Sequence, residues 1–181
     1  MNCWKSINLV KEFGYNRLLL VSFLIGLLAF IVLFVPVSIA HSGEHVKQSG
    51  ILPFVVSLVL LPTIHSLTHI LPLIIMNKRI KVVYKTKTWL LPVFNYYTKS
   101  HLTKKASLFV TLAPTFLITI PAITASWVFA DYYVYILLFT AVHIGISFLD
   151  ILYASYIIKA PRSAYIENSN DGFDILLKAH Q

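Results

Sequence analysis

Residues 61–72, LPTIHSLTHILP, decide how this chain is read. They lie inside a run, residues 51–76, that contains no Lys, Arg, Asp or Glu. A hydrocarbon core is crossed by ~20 residues of helix, so a run of this length and character reads as a membrane span. His65 and His69 stand four apart, which puts them one turn apart on one helical face. That spacing is the helical half of a zinc site of the H-E-x-x-H kind, except that Ser66 occupies the Glu position.

Working outward, three more uncharged or nearly uncharged runs predict further spans over residues 18–39, 106–129 and 132–158. The first is too long for a signal-peptide h-region of ~7–15 residues, so it is read as a retained helix. The third carries Pro114 and Pro121 and is expected to be broken. Between spans two and three, residues 77–105 are basic, and Ile80, Val82 and Tyr84 alternate with Lys81 and Lys85 as in a short hairpin. Residues 164–167 and 173–177 predict a second hairpin, turning at Asp171-Gly172, in a polar tail of residues 159–181. Residues 1–17, with Lys5, Lys11 and Arg17, read as a polar, mildly basic segment. The fold class expected is an all-α membrane protein forming one integral membrane domain over residues 1–181, with four spans and a juxtamembrane β-hairpin.

Of 181 residues, 57% are hydrophobic and 12% charged, against ~25% charged in a water-soluble domain. The net charge of +8 raises the question of nucleic acid, but the distribution of the basic residues answers it. Fourteen of the 15 Lys and Arg flank one side of the predicted spans, and Lys47 stands alone on the other. Such asymmetry places both termini, the central segment and the tail in the cytoplasm, in a multi-pass protein of the cell membrane. Anionic lipid headgroups are the expected partner of these lysines, and nucleic acid is not. Cys3 is the only cysteine, so an intrachain disulfide and a thiolate metal cluster are both excluded. Any metal must be held by His and carboxylates.

Spans two and four then run in the same direction. Counted from their common end, His65 and His69 lie ~16 and ~10 Å deep and Asp150 ~12 Å deep, at ~1.5 Å per residue. Two neutral imidazoles and a carboxylate with one open position match a catalytic-type zinc site. Simple hydrogen bonding between helices, with Asp150 on His143 or Tyr153, is the competing reading. His143 lies about two turns from Asp150, so it is expected behind the ligands or as an alternative to one of them. Pro62 and Pro72 bracket the histidine pair and free the carbonyls of Leu58 and Thr68, as befits a helix facing a polar pocket. HSGEH (residues 41–45) spells H-x-x-E-H but falls in a loop with Gly43 at its centre, and is read as solvated. His101 and His180 are read as lone exposed residues.

The paired histidines of HSLTH, the segment GISFLDILYASYIIKAP, the tail AYIENSNDGFDILL and the start of span three, KKASLFVTLAPTF, together resemble the bacterial DUF3267 family. These are zincin-type membrane peptidases, distantly similar to site-2 proteases. The resemblance implies that His65 and His69 are two ligands of a Zn2+ ion and Asp150 the third, with spans two and four taking the places of the ligand-bearing helices of a site-2 protease core. It also implies a site opening toward the cytoplasm. In the family pattern, the Glu after the first His takes a proton from the attacking water and later passes it to the leaving amine. Ser66 cannot do so near neutral pH. The chain is therefore expected to be a degenerate relative that holds a membrane segment of a client without strong proteolysis. An active protease using another base, and a metal-free membrane interaction protein, are the alternatives.

Overall fold

In a computed structural model of the chain, residues 2–43, 45–77, 80–85, 93–98, 101–169 and 172–177 are described. An uninterrupted apolar run satisfies its own backbone by forming a helix, and four helices here are long and apolar enough to cross a membrane. They are α2 (Tyr15–Ala40), α3 (Ile51–Ile75), the pair α4 (Lys104–Pro114) and α5 (Ile120–Val128), and α6 (Tyr133–Lys159). A short helix, α1 (Leu9–Phe13), precedes them. Each of the four expected spans coincides with one of these helices, within three residues of its expected ends. Large apolar side chains cover the outer faces, among them Leu20, Phe23, Leu28 and Ile31 on α2 and Leu52, Ile74 and Ile75 on α3. Exposure on that scale suits a hydrocarbon solvent and not water.

Helix α6 is the hub, packing against α2, α3, α4 and α5. It buries Leu137, Thr140, Ala141, His143, Gly145, Ser147 and Ala154, residues spread around its circumference. Its approach to α2 is set by two glycines. A Cβ on Gly145 would lie 2.8 Å from the Ser22 carbonyl oxygen, and one on Gly26 would lie 3.0 Å from that of Ala141. Small residues of this kind are what let membrane helices touch along their backbones.

The third span breaks where its prolines predict. Between α4 and α5, residues Thr115–Thr119 form a π-helical turn, which inserts an extra residue and rotates everything downstream. Pro62 and Pro72, by contrast, leave α3 helical throughout. At its start, α4 is capped by Thr103, whose side chain accepts from the Ala106 N–H. Lys104 Nζ reaches across to donate to the carbonyls of Ile158 and Ala160, at 2.7 and 2.6 Å. A cation on the last carbonyls of α6 caps that helix and pins the start of α4 to it. At the other end, the Lys47 ammonium meets Asp131 Oδ2 at 2.6 Å and joins the two loops there.

The strands are β1 (Asn2–Ile7), β2 (Ile80–Lys85), β3 (Val93–Thr98), β4 (Leu102–Thr103), β5 (Tyr165–Ser169) and β6 (Gly172–Leu177). The hairpin read in the basic segment is β2 against β3, with Val82 opposite Tyr96 and Tyr84 opposite Phe94. The tail hairpin is β5 against β6; of its turn, Asp171 lies outside the described residues. The all-α expectation needs correction. A four-stranded antiparallel sheet in the order β1-β6-β5-β4 packs on the end of α6, and residues 1–17, read from sequence only as polar and mildly basic, supply its edge strand and α1. Only Ile7 of β1 is buried, so the strand is held by the backbone of β6 and not by an apolar pattern of its own. Gly172 answers to the same neighbour, since a Cβ there would overlap the Ile7 carbonyl. Ile7, Leu9, Leu18, Ile157, Ile166, Phe173 and Ile175 form the core beneath the sheet.

Candidate metal centre

His65 and His69 lie on the buried stripe of α3 that also carries Leu61, Ser66, Ile70 and Leu73. Asp150 comes from α6. His65 Nε2 lies 3.2 Å from Asp150 Oδ2, and His69 Nε2 lies 3.4 Å from Asp150 Oδ1. The two imidazole rings stand edge to face with centroids 5.0 Å apart. One ligand atom from each residue falls within 4.8 Å of the other two, so the three side chains are close enough to hold a metal ion. The equal depth of the three residues therefore becomes actual convergence.

The hydrogen-bond pattern says what the cluster is suited to hold. His69 Nδ1 lies 2.9 Å from the Val110 carbonyl oxygen. A carbonyl only accepts, so Nδ1 carries the proton, and in the neutral ring Nε2 turns a lone pair toward Asp150. Asp150 Oδ2 is buried and takes no hydrogen bond, although His65 Nε2 is 3.2 Å away. Nitrogen and carboxylate lone pairs facing one another are unfavourable unless a cation lies between them. Bonds of ~2.1 Å to a tetrahedral zinc separate ligand atoms by roughly 3.4 Å; the contacts of 3.2 and 3.4 Å fall on different Asp150 oxygens, and one ligand atom from each residue lies within 4.8 Å of the others. The residues present fit a divalent metal.

The Val110 carbonyl is available for a reason legible in the sequence. Pro114 stands four residues later and has no N–H to offer it. A proline in α4 thus frees the group that orients a histidine on α3. His143, wholly buried, meets His65 and not the carboxylate: its Nε2 lies 3.2 Å from His65 Nδ1. Its Nδ1 lies 2.8 Å from Thr119 Oγ1, and Ser147 Oγ is 3.5 Å from its Nε2. It stands behind His65, the first of the two places expected for it. Sequence reasoning missed Val110, a backbone group, and Thr119, which reaches His143 from the end of the π-helical turn.

Ser66 is buried beside the pair, but its hydroxyl donates to the Pro62 carbonyl at 2.9 Å. Among the described residues, no second carboxylate serves the site. Glu12 accepts from the Tyr156 hydroxyl, Asp131 pairs with Lys47, Glu167 lies by His101, and Asp174 is on β6. The His101–Glu167 contact, 3.6 Å, gives His101 a partner that its isolation in sequence did not suggest. His41 of HSGEH is not a freely solvated loop residue: its Nε2 sits 3.1 Å from the Ser126 carbonyl oxygen, and its ring lies against Tyr133. Glu44 and His180 lie outside the described residues.

No curated protein and no solved structure shows significant similarity to the chain. A family model does match, DUF3267, described as "Putative zincin peptidase", over residues 57–165. The match takes in His65, His69, Val110, Thr119, His143 and Asp150, and it covers more than half of the chain. With the site geometry in place, the chain belongs to the DUF3267 zincin peptidase family.

Proposed function

We propose that this protein holds Zn2+ between His65, His69 and Asp150 within the membrane, has lost strong proteolytic activity, and binds transmembrane segments of a client. The observation carrying the reading is the meeting of two imidazoles and one acid beside a serine whose hydroxyl is committed to its own helix. Nitrogen and oxygen donors without thiolate suit zinc. Bound there, zinc supplies Lewis acidity toward a carbonyl. The chain's own part is to orient the ligands: the Val110 carbonyl holds the His69 Nδ1 proton, and His143 stands behind His65. Peptide hydrolysis also needs a base, and Ser66 offers none.

Fourteen basic residues against one support an orientation with both termini in the cytoplasm. The sheet of β1, β6, β5 and β4 and the lysines near it then face anionic headgroups of the cell membrane. Metal analysis of detergent-purified protein tests the reading. Wild type is expected to carry about one zinc per chain, and a His65→Ala/His69→Ala variant to lose it. Equal zinc in the two removes the metal site and leaves a metal-free interaction protein.

A further inference from the structure

Resting on the zinc reading above, we infer that His143 and Thr119 are positioning residues that fix His65 as the Nδ1–H tautomer, so that its Nε2 lone pair faces Asp150. Three buried groups form a line running away from the site. His65 Nδ1 is 3.2 Å from His143 Nε2, and His143 Nδ1 is 2.8 Å from Thr119 Oγ1. His143 and Thr140 are wholly buried, and Thr119 and Ser147 nearly so.

A neutral imidazole donates from one nitrogen and accepts at the other, so the line has two possible directions. In one, His65 Nδ1–H donates to His143 Nε2, and His143 Nδ1–H donates to Thr119 Oγ1. In the other, the Thr119 hydroxyl donates to His143, His143 donates to His65, and His65 Nε2–H must donate to Asp150. The second direction protonates His65 Nε2, the atom that the zinc reading needs as a ligand, so only the first is compatible with a bound ion. The first leaves His65 Nε2 unprotonated beside the carboxylate. His69 reaches the same state through a carbonyl that can only accept. The two histidines are therefore set to one tautomer by different means, one by a proline-freed backbone and one by a side-chain line.

The π-helical turn is what delivers Thr119. It is the last residue of that turn and is buried, whereas Phe116 and Leu117 within the same turn are exposed. An uninterrupted α-helix through residues 104–128 would carry position 119 about 100° around the axis, because each residue advances a helix of ~3.6 per turn by that angle. Turns of this kind are rare and concentrate at functional sites. Side chains behind metal ligands commonly alter metal affinity by ~10–100-fold when removed.

The test pairs zinc affinity with a readout that needs no metal. Zinc is titrated against a competing chelator in wild type, His143→Leu, Thr119→Val, and the conservative variants His143→Gln and Thr119→Ser. Wild type and the two conservative variants are expected to bind alike, with His143→Leu and Thr119→Val ~10–100-fold weaker. Nitrogen-15 spectra of histidine-labelled, metal-free wild type are expected to show His65 protonated at Nδ1, with signals assigned through His65→Ala. Thr119→Val is close to isosteric, and thermal melting of the metal-free variants checks that each folds. Wild-type affinity in both His143→Leu and Thr119→Val overturns the inference while leaving the metal site intact. Absence of histidine-dependent zinc in wild type overturns the underlying reading instead, and the spectra still decide the tautomer: an Nε2-protonated His65 refutes the inference.

Discussion

Replacing Ser66 by Glu is expected to raise cleavage of a transmembrane test substrate by ~10²–10⁴-fold over wild type, the usual contribution of a positioned general base. The position follows His65 directly on the buried stripe of α3, so a longer side chain there starts beside His65 and His69. The serine it replaces donates to a carbonyl of its own helix and to nothing in the site. A glutamate gives up that bond and gains a carboxylate able to take a proton from attacking water and return it to a leaving amine. Ser66→Gln is the control, having the same length without the base, and should stay at the wild-type level. Reconstituted protein with a fluorogenic membrane substrate supplies the measurement. If wild type cleaves measurably and the glutamate variant does no better, the missing base is not what limits this chain.

Changing Asp150 to Leu should move stability and metal binding in opposite directions. Without metal, a carboxylate on α6 is held largely out of solvent with one oxygen lacking any hydrogen bond. A charged acid at membrane depth costs ~3 kcal/mol on insertion scales. Leucine removes that cost, so the metal-free variant should melt several degrees higher, at ~2–4 °C per kcal/mol for a chain of this size. Zinc at about 100 times its Kd should stabilise wild type by ~2.7 kcal/mol and the variant not at all. Melting curves with and without zinc give both numbers. A variant that melts lower than metal-free wild type, yet responds to zinc as strongly, would show that Asp150 is a packing residue and not a ligand.

The parts of this molecule that were legible in the sequence are those set by one-dimensional rules. Span lengths follow from the bilayer, and the helices fall where the uncharged runs do. The depth of Asp150 could be counted against that of His65 and His69 because the rise per residue is fixed, and the three do meet. Both hairpins carry alternation or turn residues of their own. What escaped depends on groups that are distant in the chain. Strand β1 has one buried residue and exists because β6 offers it an edge. Thr119 points at His143 only after a π-helical turn has rotated it, and no composition rule locates that turn. The Val110 carbonyl was foreseeable in part. The reasoning applied to Pro62 and Pro72, that a proline frees the carbonyl four residues earlier, applies equally to Pro114, and that freed carbonyl is the one the site uses.

X-ray absorption at the zinc edge of the purified, folded protein tests most directly whether two imidazoles and one acid share a single ion. The expected spectrum has imidazole nitrogens at ~2.0–2.1 Å and oxygen at ~2.0–2.2 Å, with no sulfur, and loses an oxygen contribution in Asp150→Ala. A sulfur shell at ~2.3 Å, pointing to Cys3, or an all-oxygen shell unchanged by substitution of His65, His69 or Asp150, would contradict it.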